Sequence, residues 1–361
     1  MLWTGAGVDF DSRVGLEVHD AQGRVVIPGL VDGHVHLTGC AGDEGLTSQT
    51  PPLAAPDLVG AGVTTVVGCL GFGRGSESLV NLLMGVRLLR QLGLSAYMYT
   101  GSFRFPPPSL MGTAADDIVM VGPVLGVKVA VADPYCSHPS ERALARLASE
   151  AYAAGLQAGK RGHLHVHVGL LGGGFAVLAR VRERSGVPCG QLVPTHCNWS
   201  LELVEEAAAY ARSGGTVDMS TVLAQERGSL TSVRASRAVL SLLERGVPVE
   251  RITMSSDGNV GMPLRCEDGE QVGLYLERVA SLWEEVVELV RQGVKLSLAV
   301  RLVTENPARV LGLYPRKGCL EPGADADLIL LEEDLSFHKV FARGVLVYDA
   351  GRTFLPARLR V

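Results

Sequence analysis

From Pro28 onward the chain repeats one unit, a short apolar run followed by an amphipathic helical stretch. The apolar runs lie at 30–37, 64–70, 95–100, 124–131, 163–168, 191–196, 216–220 and 252–256. Helical periodicity covers 53–61, 76–92, 139–158, 173–185, 200–213 and 230–245, then 273–292 and 295–311 after the last run. Strands alternating with helices predict a parallel sheet, and this number of strands predicts a closed (β/α)8 barrel over 29–315. An open doubly wound sheet fits less well, because no glycine-rich fingerprint follows the first strand. Short strands return at 327–331 and 339–347, the second bent at Arg343-Gly344, after a turn at 318–322. Residues 1–28 hold two strand-like pieces, 16–19 and 24–27, around a polar turn. The expected organisation is therefore a barrel with a small β-sandwich-like lobe built from 1–28 and 316–361.

With 361 residues, 47% of them hydrophobic, the chain can bury a large core. Its net charge is −5 and no basic tract stands out, which argues against a nucleic-acid partner. The 7 cysteines are scattered, odd in number and without CxxC spacing, so a disulfide framework is not expected and a reducing, cytoplasmic setting fits. The N-terminus lacks the basic and apolar regions of a signal peptide. No apolar run approaches the ~20 residues of a membrane span.

Polar residues cluster where a barrel places its active site, at the C-terminal ends of the strands. The first strand carries His34 and His36. Residues i and i+2 of a strand share a face, so both imidazoles reach one side, an arrangement that suits a divalent metal such as zinc. The fourth strand, VLGVKVAV, buries one charge, Lys128, which must be paired, deprotonated or chemically modified. The fifth, HLHVHV, sets His163, His165 and His167 on one face. The sixth ends in His196 and the eighth in Ser255-Ser256-Asp257. A single histidine on such a strand is more often a packed, hydrogen-bonded core residue, and an Asp before Gly more often a turn residue. Packing and turns do not account for the conjunction across five strands.

The stretches PGLVDGHVHL, AGVTTVVGCLG, LGVKVAVAD, LVPTHCN, TMSSDGN, NPARVLGL and EPGADADLILL resemble the amidohydrolase superfamily, and within it the isoaspartyl dipeptidases. The likeness runs from about residue 25 to 347. It implies a binuclear centre of divalent ions, zinc by analogy, on a (β/α)8 barrel. His34 and His36 would hold the first ion and His167 and His196 the second. Lys128, carrying a CO2-derived carbamate, would bridge them. Asp257 would bind the first ion and act as general base toward the attacking water, passing the proton to the leaving amine. The family pattern gives His163 and His165 no role, so they are expected to fill space or to hydrogen-bond ligands.

The positions that clamp a dipeptide in the isoaspartyl dipeptidases are largely changed here. The acidic position falls at Asp43 or its neighbour Glu44. The tyrosine position reads Phe103, the two arginine positions read Tyr135 and Trp199, the serine position Gly261 and the threonine position Phe72. Two cations able to grip a carboxylate are replaced by aromatic surface, although Arg74 or Arg104 could supply a displaced charge and Tyr135 a phenol. The expected substrate is a small amide with apolar or planar groups. The alternatives are a genuine isoaspartyl (β-aspartyl) dipeptidase and a catalytically inactive metal-binding scaffold. The resemblance also implies a homo-oligomer. It implies more chain before the EVHDAQGRVVIPG stretch than the roughly fifteen residues present, so the lobe is reduced or the start lies upstream of Met1.

Overall fold

The computed structural model describes residues 18–42, 45–225, 231–265 and 271–355. Its strands are β1 (Val25–Pro28), β2 (Leu30–Val35), β3 (Val63–Gly68), β4 (Ser95–Gly101), β5 (Val124–Val131), β6 (His163–Val168), β7 (Leu192–Thr195), β8 (Val217–Ser220), β9 (Ile252–Ser255), β10 (Gly261–Arg265), β11 (Gln271–Leu276), β12 (Leu328–Leu331), β13 (Phe337–Ala342), β14 (Val345–Asp349) and β15 (Arg352–Thr353). The helices are α1 (Ala55–Gly60), α2 (Leu79–Gln91), α3 (Ala114–Met120), α4 (Glu141–Ala158), α5 (Gly174–Ser185), α6 (Leu201–Arg212), α7 (Ala235–Glu244), α8 (Ser281–Arg291), α9 (Leu296–Arg301) and α10 (Glu305–Leu311).

β2 to β7 form one parallel sheet in chain order, and β8 and β9 form a second parallel pair. This is an α/β fold with a curled parallel sheet, consistent with a (β/α)8 barrel. Every residue of β3, β5, β6, β7, β8 and β9 is buried, as expected when helices cover a parallel sheet. The helices start where polar caps allow. Ser78, Ser140 and Ser200 each accept a hydrogen bond from the backbone N–H three residues on, opening α2, α4 and α6. At Gly101, with φ +86°, an added Cβ would lie 2.2 Å from the carbonyl oxygen of Lys128, so glycine lets β4 close up on β5 beside that lysine.

Two seams interrupt the backbone ladder, and a buried carboxylate spans each. Between β7 and the β8–β9 pair, the Asp218 side chain accepts from Thr195 (2.8 Å), Thr253 (2.7 Å) and Ser255 (2.5 Å). One carboxylate thereby ties three strands together. Burial pushes Asp218 above the usual carboxylate range, against the lowering effect of those hydroxyls. Between β9 and β2, Asp32 accepts from the Ser256 N–H at 3.0 Å. There the backbone bonds Asp257 N–H to His34 C=O and His36 N–H to Gly258 C=O, both 3.0 Å, complete the junction. Burial raises Asp32 to about 7.

β1 pairs antiparallel with β12, and β13, β14 and β15 follow in one five-stranded sheet, so segments from both ends of the barrel sequence share a sheet. The structure corrects several sequence expectations. Of 16–19, the first two residues lie outside the described residues, and Val18 and His19 take no strand. The helix expected over 273–292 begins only at Ser281, because Gln271–Leu276 pairs with Gly261–Arg265 as a hairpin. The helix expected over 295–311 is two helices, since Thr304 leaves helical geometry (φ −134°, ψ −84°) and Pro307 suits only a first turn. The strand expected over 339–347 is β13 and β14, turned at Arg343-Gly344. α3 was not expected, although Thr113 caps it through Asp116 N–H.

Because the buried Asp218 accepts from three hydroxyls, one of them across the seam to β7, Asp218→Ala should destabilise the fold by about 2–4 kcal/mol, leaving those hydroxyls unpaired. The midpoint of denaturant unfolding, followed by circular dichroism, measures this.

Candidate metal centre

At the C-terminal ends of these strands, neutral imidazoles pack around one carboxylate and one lysine. Ring centroids lie 5.5 Å apart for His34 and His36, 5.0 Å for His34 and His196, 4.6 Å for His167 and His196, and 4.9 Å for His34 and His165. His34, His36, Lys128, His165, His167, His196 and Asp257 are all buried. Burial holds His34, His165, His167 and His196 below the usual imidazole pKa; Lys128 adds to the effect at all four and neighbouring imidazoles at His34, His165 and His196, while Asp133 opposes it at His167. These rings are therefore uncharged near neutral pH and offer lone pairs.

The hydrogen bonds fix which nitrogens face inward. Lys128 Nζ lies 2.6 Å from His34 Nε2 and donates to it, so His34 Nδ1–H donates to His165 Nε2 at 2.9 Å. Asp133 can only accept, so His167 Nε2–H donates to its carboxylate at 2.8 Å and leaves His167 Nδ1 as a lone pair. That Nδ1 is buried without a partner. Burial alone would raise Asp133, but the bonds from His167 and the Tyr135 N–H, with the charges of the neighbouring imidazoles, together hold it below the usual carboxylate range. His196 Nδ1 meets Ser220 Oγ at 2.5 Å. Each of these rings is thus oriented through one nitrogen, as metal-binding histidines are.

Asp257 carries the argument for a cation. Its Oδ1 is buried, has no hydrogen-bond partner, and lies 3.3 Å from His34 Nε2 and 3.2 Å from His36 Nε2. Donors bound about 2.0–2.1 Å from a tetrahedral ion stand about 3.3 Å from one another. His34, His196 and Asp257 also place ligand atoms within 4.8 Å of one another. His196 (φ 61°) and Asp257 (φ 54°) both take left-handed backbone, a strained geometry that aims two side chains at one point. The donor set fits a divalent metal. Lys128 is 1% exposed, and its Nζ contacts His34 and Cys69 Sγ (3.5 Å). No carboxylate pairs with it among the described residues.

Above the cluster lies a cavity of about 560 Å³. Phe72, Phe103, Tyr135, Trp199 and Gly261 all line it, as do His36, Lys128, His167, His196 and Asp257. Phe72 stacks on Tyr135 at 4.7 Å, and Phe103 meets His167 at 4.5 Å. Trp199 has a buried indole N–H without a partner. No arginine lines the cavity among the described residues, and neither Arg74 nor Arg104 reaches it. Asp43 and Glu44 lie outside the described residues. His34 sits beneath the lining. His165 stacks flat on Tyr99 (4.7 Å), and His163 bonds the Tyr99 hydroxyl at 3.3 Å. Sequence reasoning passed over Asp133, Ser220 and the lining leucines Leu170 and Leu171. Asp133 stood inside a quoted motif, ending VAVAD at a strand terminus, which was the available signal.

An Amidohydrolase family model matches residues 162–347. The solved structure of a β-aspartyl dipeptidase from Fervidobacterium islandicum AW-1, in complex with β-Asp-Leu dipeptide, superposes with a TM-score of 0.89. It is 33% identical, over 98% of this chain and 91% of that one. Curated relatives are more varied. An adenine deaminase from Bacillus licheniformis is 27% identical over 356 residues, 95% of this chain but only 53% of that protein's length. An imidazolonepropionase from Anaeromyxobacter dehalogenans is 27% identical over 407 residues, 98% of this chain and 87% of that protein.

If Asp133 fixes the tautomer of His167, Asp133→Asn should weaken the binding of one divalent ion about 10–100-fold while leaving the other in place. Competition against a chromophoric chelator reads the two affinities separately.

Proposed function

The chain belongs to the amidohydrolase family, as an enzyme of the metal-dependent hydrolase type, and from that premise we propose that it cleaves an amide bond, open or within a ring, in an uncharged small molecule bearing apolar or planar groups. We assign His34, His36 and Asp257 to one divalent ion and His167 and His196 to a second, with Lys128 between them. Imidazole and carboxylate donors suit zinc. In this reading Lys128 carries a carbamate: its free amine attacks CO2, an N–C bond forms and one proton leaves to solvent. That replaces a buried amine with no carboxylate partner among the described residues by an anion able to face two cations. In this reading β2 to β9 belong to the metal-binding barrel, and β1 with β12–β15 to a small lobe.

When bound, the ions supply water of lowered pKa and polarisation of the scissile carbonyl. Asp257 takes the proton of the attacking water and delivers it to the leaving nitrogen, so one carboxylate serves as base and then acid. Trp199 offers its indole N–H to a substrate acceptor, and the stacked Phe72 and Tyr135 rings provide a flat apolar wall.

The observation that carries the metal-dependent reading is the unpartnered Asp257 oxygen held at chelate spacing from two buried imidazoles. The observation that favours an uncharged substrate is an aromatic lining without arginine among the described residues. A second reading, a genuine β-aspartyl dipeptidase, is favoured by the likeness to the Fervidobacterium structure. The two separate on kcat/KM for an N-acyl aromatic amide, a cyclic amide and β-Asp-Leu. Missing carboxylate clamps should put the dipeptide about 100-fold or more below the best uncharged amide. The reverse order would establish the dipeptidase. On the preferred substrate, Asp257→Asn should lower kcat about 10²–10⁴-fold.

A further inference from the structure

We propose that Cys69 is a metal ligand, adding a thiolate to the ion held by His34 and His36. The inference rests on the metal-dependent reading above. Cys69 follows the last residue of β3 and is fully buried. Its Sγ and one ring nitrogen each of His34 and His36 all lie within 4.8 Å of one another, close enough to share a single ion. One further observation points to a cation at that place. The buried Asp257 Oδ1 faces the same two histidines without a hydrogen-bond partner. The thiol itself accepts from Lys128 Nζ at 3.5 Å and donates to the Val35 carbonyl at 3.8 Å, the contacts that ligation would replace.

Neither of the other cysteines of the region groups with these histidines: Cys40 lines the cavity, and Cys136 Sγ lies 3.6 Å from His138 Nδ1. Cys69 is fully buried and does not line the cavity, so it stands beneath the space open to substrate. On ligation the S–H bond breaks, an S–metal bond forms and one proton leaves to solvent. With the Asp257 carboxylate and a Lys128 carbamate, the thiolate brings the protein's charge at the centre to three negative groups facing two divalent ions. A thiolate also selects for borderline ions such as zinc or cobalt over magnesium and calcium.

The test is cobalt substitution of the full chain. Metal-free protein reconstituted with Co2+ should show visible ligand-field absorption together with a near-ultraviolet thiolate-to-cobalt charge-transfer band. Cys69→Ser should lose that band and keep ligand-field absorption, while Cys40→Ser should keep both. Zinc-loaded wild-type protein should show a sulfur shell at about 2.3 Å by X-ray absorption, a readout that holds if Cys69→Ser fails to fold. Ligand-field absorption without the charge-transfer band, and a zinc shell of nitrogen and oxygen alone, would overturn Cys69 as a ligand and leave the metal centre standing. A band lost in Cys40→Ser instead would also overturn it. Failure of the wild-type chain to bind Co2+ or Zn2+ at all would overturn the metal-dependent reading itself.

Discussion

One carboxylate oxygen, Asp257 Oδ1, sits among imidazole lone pairs with no hydrogen to share. Burial keeps His34, His167 and His196 uncharged. Buried polar atoms are ordinarily satisfied. The physical remedy is a cation between the donors, and the surrounding structure is arranged to hold the donors where that cation would sit.

The arrangement follows from the barrel-like sheet. Parallel strands with short returns bring residues far apart in sequence to one rim, and buried bonds set each ring's angle. His165 holds His34, Asp133 holds His167, and Ser220 meets His196. Where the backbone ladder lapses, Asp218 and Asp32 carry the closure through side chains, and the strands beside those seams bear His34, His196 and Asp257. Closing the sheet and placing the ligands are therefore one problem. The left-handed backbone at His196 and Asp257 is strain borne at the rim and offset by the packed strands below.

Much of this was legible in the sequence because strand periodicity and ligand spacing are local. β5 and β6 fall at the residues expected, and His36, Lys128, His167, His196 and Asp257 line one cavity with His34 in contact beneath them. What the sequence did not disclose depends on tertiary pairing. The hairpin of Gly261–Arg265 with Gln271–Leu276 exists through cross-strand partners, and alone the second piece reads as a helix start. The break at Thr304 is a backbone turn with no strong local signal before Pro307. Asp133 and Cys69 gain meaning only from what lies beside them, His167 in one case and His34, His36 and Lys128 in the other. Phe72, Phe103, Tyr135 and Trp199, singled out by side-chain type, all line the cavity.

The central claim is that the cluster at the strand ends is a binuclear metal centre. Anomalous diffraction from crystals of the as-isolated protein, collected on both sides of the zinc edge and of neighbouring transition-metal edges, tests it most directly. The account predicts two anomalous peaks, one bounded by His34, His36 and Asp257 and one by His167 and His196, with continuous density from Lys128 Nζ between them. Ordered side chains with no anomalous peak, in protein grown and purified with these metals supplied, would contradict it.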